Sequence, residues 1–244
     1  MRFLKLFFKI FIFVVIILPT LSSGFSQTPT NNELGPWIMI RAIENAKENE
    51  IQKRQHITYN KRVLKRDLDT KKVIEEKVFR VFGQNGKSME QLIEENKKSQ
   101  KNKRIEQSND NLVENLTARC DFTLTDTKIV DGVAYFIVSF KPKNELPKAK
   151  NRNEKALDHS SGEILIEIDG LRIKKIHSWS TKSFWGEVFV WVSNYSVEIE
   201  QEEKFGIMVP KSMRVRYKIY LVNEELEYTY ENHEDLRNNA AQNN

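Results

Sequence analysis

The sequence has almost no cysteine. One thiol, Cys120, stands among 244 residues, so no disulfide can form within the chain and any core must be held by burial alone. Cys120 alternates with Ala118, Phe122 and Leu124, which reads as a small buried hydrophobe on a strand. Histidine is nearly as scarce: His56, His159, His177 and His233 show no His/Glu or His/Cys spacing suited to zinc. The chain also lacks a G-x-S-x-G elbow, a P-loop and a G-x-G-x-x-G turn. "DHSSG" sets serines beside His159, but adjacency in sequence does not make a hydrogen-bonded nucleophile and base. No cofactor or metal is implied, and a hydrolase using His159 or His177 is the remaining enzymatic reading.

A strong excess of one charge is missing too. The formal net charge is +5, yet Arg2, Lys5 and Lys9 belong to an N-terminal segment that runs from these cations through the apolar stretch Ile10 to Leu18 into Ser22-Ser23-Gly24-Phe25-Ser26. That order is a secretory signal peptide, residues 1–26, with cleavage after Ser26. An uncleaved leader acting as a membrane anchor is the alternative. Without the leader, 36 basic residues face 34 acidic ones, and such mixed-sign charge argues against nucleic acid as a partner. The expected location is the periplasm. "NLT" at Asn115 and "NYS" at Asn194 match the glycosylation acceptor, which matters only in a eukaryotic secretory route.

Residues 27–244 are long enough for a single domain. "PWIMIRAIENAKENE" opens on Pro36, suited to the first turn of a helix, and Trp37, Ile40 and Ile43 recur at helical spacing; this helix should lay Trp37 and Ile40 on something apolar. "HITYNKRVLKR" and "KVIEEKVFRVF", parted by "DLDT", suggest a hairpin. Ser88 with Gln91 three residues on makes a capping-box pattern, so a charged helix or extension is expected over about 88–111. "ARCDFTLTDTKI" and "VAYFIVSFKP" flank an Asp-Gly turn signal. A long polar loop, 142–160, follows. Beyond it, Ile164, Ile166 and Ile168 alternate with glutamates, and Leu171, Ile173 and Trp179 are expected on one side of the next strand. In "SMRVRYKIYLVNEELEYTYEN", a loop at Asn223-Glu224 would oppose Tyr217 to Tyr230 and Arg216 to Glu231, leaving one dry face and one wet. The fold class is therefore α+β: a curved antiparallel sheet, an incomplete β-barrel, wrapped around one or two helices.

Three of the four tryptophans fall within "SWSTKSFWGEVFVWVSN". Counting sides puts Trp185, Phe189, Trp191, Tyr195, Val197 and Ile199 together, opposite Phe184, Val188, Val190 and Val192. A strand apolar on both faces needs cover on the second. Three readings stay open: ordinary core, the wall of an apolar cavity, or a surface that meets a membrane or a protein.

The order of leader, "PWIMIRAIENAKENE", "HITYNKRVLKRDLDTKKVIEEKVFRVFGQNGKSMEQLIEE", "ARCDFTLTDTKIVDGVAYFIVSFKPK" and the strands to "YTYENHEDLR" resembles exported proteins of the LolA-like lipoprotein-carrier superfamily, which includes sensor proteins of the MucB/RseB type. The resemblance implies a half-barrel whose apolar concavity takes acyl chains, and hence a non-enzymatic lipid- or lipoprotein-binding protein. Its ligand would lie against Trp37, Ile40, Trp179, Trp185, Phe189, Trp191 and Tyr217. The partners expected are an acylated lipid or lipoprotein, with transient membrane contact. The alternative is a cell-envelope interaction or sensory domain with a protein partner.

Overall fold

The computed structural model describes residues 30–95, 105–107, 112–185 and 191–237. The expected leader, most of the charged extension and Phe189 lie outside them. Helix α1 (Asn31–His56) leads into β1 (Ile57–Asp67), β2 (Val73–Gln84), β3 (Lys87–Glu95) and β4 (Ile105–Gln107). A short helix α2 (Leu112–Arg119) precedes β5 (Cys120–Val130) and β6 (Val133–Pro142). Helix α3 (Arg152–Leu157) is followed by β7 (Ser160–Glu167), β8 (Arg172–Ser180), β9 (Phe184–Trp185), β10 (Trp191–Lys204), β11 (Ile207–Ile219) and β12 (Val222–Asp235).

The strands form one antiparallel sheet in the spatial order β4-β3-β2-β1-β12-β11-β10-β8-β7-β6-β5, with β9 paired to β10. The edges β4 and β5 do not pair with each other, so the barrel is incomplete. Glycines at two crowded contacts show how far the sheet bows around α1. A Cβ on Gly35 would lie 2.8 Å from backbone atoms of β5, and one on Gly83 of β2 only 1.6 Å from the Arg54 carbonyl oxygen. From Gly35 to Arg54 the helix rises about 28 Å. Laid flat, β5 and β2 would be separated by about 38 Å at the usual strand spacing, so the sheet must curl toward the helix.

The helix does not use the face expected of it. Ile38, Met39, Ala42 and Ile43 are buried against Phe122, Val138, Phe140, Ile164, Ile166, Ile173 and Ile176, whereas Trp37 and Ile40 are 55% and 52% exposed. Residues four apart stack on one helix face, and the stripe through 38, 39, 42 and 43 carries more apolar surface than the one through Trp37. A second cluster, Ile57, Tyr59, Val81, Ile207 and Val209, closes the other side.

Three other expectations change. Residues 87–95 form a strand, not a helix. Asn85 (φ 52°) and Gly86 (φ 71°) make a two-residue turn, and Phe82 then faces Met89 with Phe79 facing Leu92; the Asn-Gly hairpin signal prevails over the capping pattern. The last hairpin turns at Tyr220-Leu221, because Ile219 pairs with Val222. Tyr217 thus lies opposite Glu224 instead of Tyr230, and Arg216 opposite Glu225. That shift in register is by an even number of residues, so each side chain keeps its expected face. Finally, the loop 142–160 contains α3, whose Asn151 cap accepts from the Glu154 amide at 2.9 Å. Arg119 anchors this loop through Asp158 (2.5 and 2.8 Å), Glu154 (3.0 Å) and the Pro147 carbonyl (2.7 Å).

The convex face is a ladder of ion pairs. Glu225 receives Arg216 at 2.7 Å and Arg66 at 3.5 Å, Glu227 receives Arg66 at 2.5 Å, and Glu198 faces Arg214 at 3.6 Å. Glu200 continues it with Lys175 at 3.2 Å.

Candidate functional site

Helix α1 occupies only part of the concavity. Asn45 Nδ2 donates to the Gly170 carbonyl at 2.7 Å. Asn49 closes a two-way bond with the Met208 backbone, donating and accepting at 2.7 Å. Arg54 reaches the Gly86 carbonyl at 3.3 Å. Gly170, Met208 and Gly86 all belong to turns, or lie beside turns, at one end of the sheet, so the helix runs along that lower rim. After Ala46 its apolar stripe stops: residues 47–56 are polar or charged except Ile51, which is 54% exposed.

The rest of the concave face, toward the upper rim, is a trough. Its floor comes from the inward residues of three adjacent strands: Val63 of β1, Leu226 and Tyr228 of β12, and Met213, Val215, Tyr217 and Ile219 of β11. The pairings Val63 with Tyr228, Met213 with Tyr228 and Val215 with Leu226 set them side by side. All are only half-buried. Period-two alternation puts them there, with Arg214, Arg216 and Lys218 pointing outward. Where Val63, Leu226 and Tyr228 meet Phe79, the groove holds about 210 Å3.

Charges along the trough are matched. Lys65 pairs with Glu224 at 2.8 Å, Lys77 with Glu75 at 2.5 Å, and Lys61 with Glu90. The hydrogen bond to Glu75 holds the Lys77 ammonium above its ordinary value. Burial raises the phenols of Tyr228 and Tyr230, and burial, with the hydrogen bond to Glu224, raises that of Tyr217. These phenols stay neutral at any physiological pH. The site offers an apolar floor flanked by neutralised polar walls, which suits an uncharged hydrocarbon chain.

The tryptophans lie elsewhere. Lys174 is an extra residue in β8, since Leu165 faces Lys175 while Ile166 faces Ile173. That bulge moves Trp179 to the convex face, where it is 36% exposed beside His177, ring centroids 5.0 Å apart. A second bulge at Ser193 does the same to Trp191: Val192 faces Ile219, while Asn194 faces Lys218. Trp191 pairs with Trp185 in an edge contact at 5.1 Å, and Trp185 is 52% exposed. Among the described residues expected to line the ligand site, only Tyr217 is on the trough floor. Trp179, Trp185 and Trp191 stand on the outer face, and Trp37 is exposed on the helix. Ile40 lines a separate cleft of about 490 Å3 with Cys120, Phe122 and Lys143. Phe189 is outside the described residues.

The inward partners of the aromatic stretch are covered by the loop. Phe184 is buried with its ring 4.9 Å from His159 and 6.2 Å from Tyr195. Ser160, 1% exposed, donates to the Ala156 carbonyl at 2.6 Å and also meets the Tyr195 hydroxyl. Its hydroxyl is committed to packing, not poised for attack. Burial lowers the His159 pKa, and His177 lies against Trp179 on the opposite face. Neither histidine faces a serine as base to nucleophile. Burial also pushes the Cys120 thiol up to about 12, so it is no thiolate nucleophile. Among the described residues no three His, Cys, Asp or Glu side chains converge as a metal site, and no helix is long and apolar enough to cross a membrane. A further cleft, about 810 Å3 between α1 and β8, β10 and β11, is the seam bridged by Asn45 and Asn49.

The trough floor was missed as a site by sequence reasoning, although its alternation was plain. The signal that could have found it is the mismatch between a long dry face on adjacent strands and a helix whose apolar stripe ends at Ala46.

No protein-family model and no curated protein sequence matches the chain. Solved structures do align with it. A DUF1329 family protein from Desulfovibrio piger gives a TM-score of 0.46 at 12% identity, covering 85% of this chain and 94% of that one. A LolA superfamily protein from Nitrosomonas europaea gives 0.42 at 10% identity, covering 80% and 93%. The Pseudomonas aeruginosa MucA/MucB complex gives 0.21 at 10% identity, covering 78% and 93%. A LolA superfamily protein and a MucA/MucB complex are therefore both among the structures to which this chain is similar.

Proposed function

We propose that this is a non-enzymatic periplasmic protein that shields the hydrocarbon of an acylated lipid or lipoprotein in the part of its concavity that α1 leaves open. The observation that carries this reading is the half-buried apolar floor of Val63, Met213, Val215, Tyr217, Ile219, Leu226 and Tyr228. A tail laid on it leaves water at about 0.8 kcal/mol per methylene. The leader-like N-terminal sequence supports export.

The test uses the chain from Gln27 onward, since every described element lies within 31–237. A fluorescent fatty acid is titrated into it, and lipid extracted from the purified protein is identified by mass spectrometry. Val215→Trp, which fills the groove with apolar bulk, should weaken uptake by roughly tenfold for every two methylenes it displaces. Val215→Asp should do so as well. Undiminished uptake in both folded variants, or no uptake by the parent chain, overturns the reading.

A second reading, an envelope interaction or sensory domain with a protein partner, is favoured by Trp179, Trp185 and Trp191 standing outside the trough. An empty protein that captures one protein through that face would support it.

A further inference from the structure

Three adjacent turns at the upper rim carry most of the exposed apolar surface there. Leu221 is 96% exposed, Tyr220 52% and Val222 45% at the β11–β12 turn. Val73, 53% exposed, begins β2 one hairpin away, and the Leu68 amide donating to the Asn223 carbonyl at 2.8 Å ties the two hairpins together. On the other flank Val192 pairs with Ile219, which brings the Trp191–Trp185 pair beside Tyr220.

The charges around this rim differ by sign in how they are used. Three of its carboxylates are engaged within the fold: Asp67 accepts from the amides of Asp69 and Thr70, Asp69 from Asn223, and Glu224 from Lys65 and Tyr217. Lys71, Lys72, Lys182 and Lys218 are exposed and have no ion pair among the described residues. At the lower rim Ile129, Val130, Val133, Ile168 and Phe205 are exposed too, but they lie beside carboxylates such as Asp131, Asp169 and Glu203.

From this asymmetry we infer that the upper rim docks on an anionic lipid bilayer, with Leu221 entering the acyl boundary, Trp185 and Tyr220 at headgroup depth, and the four lysines against lipid phosphates. The inference deepens the proposed function, because the open part of the trough faces this same rim and a docked molecule would present its apolar floor to the membrane from which a tail leaves. It does not require the trough to bind anything.

Phosphatidylcholine vesicles, with and without phosphatidylglycerol, are floated with the chain from Gln27 onward. The parent protein should float with the anionic vesicles, lose partition as salt rises, and shift its tryptophan emission to the blue, with quenching by brominated acyl chains. Leu221→Glu should cut partition by roughly tenfold or more, and Lys71→Glu with Lys182→Glu should abolish the preference for phosphatidylglycerol. All three side chains are exposed, so the thermal midpoint and fatty-acid uptake in solution should stay at parental values. Absence of vesicle binding, parental binding by Leu221→Glu, or protection of the rim by a protein but not by vesicles overturns the inference. Vesicle binding that persists in a protein unable to take up fatty acid leaves it standing and removes the proposed function instead.

Discussion

At the residue scale, His233 shows how burial becomes a pH dependence. It packs against Tyr59, ring centroids 5.3 Å apart, and burial holds its pKa below the ordinary 6.5. Lys204 pushes in the same direction and Glu202 opposes it. The folded protein therefore resists a proton that the unfolded chain accepts. Stability is flat above the unfolded value and declines as pH falls below it. His159 has the same sign. The thermal midpoint should drop between about pH 7.5 and pH 5.5, and His233→Phe, which keeps a ring on Tyr59 but cannot titrate, should drop less over the same window. An identical decline in the variant would show that His233 contributes nothing. None of this was legible in the sequence, where His233 is one polar residue in "ENHED". Cys120 was legible, because its alternation with Phe122 and Leu124 already marked a buried strand position.

At the element scale, close approach of backbones matters more than composition. Gly83 lets the carboxyl end of α1 touch β2, and a methyl group there would meet the Arg54 carbonyl oxygen at 1.6 Å. Gly83→Ala should cost about 1–3 kcal/mol in urea unfolding, as overpacking does, with no loss of helix content by circular dichroism. A midpoint unchanged from the parent would mean that the contact yields without strain. The Asp-Gly turn signal was read from the sequence, and the Asn-Gly one could have been, since both encode positive φ locally. What the sequence hid were the bulges. One extra residue at Lys174 and another at Ser193 reverse the faces of Trp179 and Trp191, and nothing in the alternation announces where a strand will slip. The strand at 87–95 was missed for a different reason: "SMEQLIEE" carries a helix-cap pattern without clean alternation, and only the preceding Asn-Gly turn marks it as a hairpin strand.

At the scale of the whole molecule, the incomplete barrel around a helix was legible because several hairpins carried their own signals, and the antiparallel order follows from short turns. The candidate site was legible only in part. Aromatic content drew attention to a wall that proved to be the outside, while the trough floor is built of ordinary Val, Met, Leu and Tyr. Their importance lies in what fails to cover them. A paired substitution separates these two surfaces. Trp185→Glu with Trp191→Glu should leave the fold and fatty-acid uptake in solution at parental levels, measured by thermal melting and titration, because both rings stand on the convex face. Loss of either would place the pair in the core or the groove.

The pairing of β1 with β12 along Ile57 to Asp67 fixes when the molecule can become whole. Strands β5 to β11 can zip up from neighbour to neighbour as they emerge, but the block β4-β3-β2-β1 has no seat on the sheet until the last strand arrives. Closure across nearly the full sequence is slow because loop entropy must be overcome first. A chain that crosses a membrane unfolded would therefore expose β1 and its dry face until its final residues follow, and that interval is when a chaperone would have to hold it.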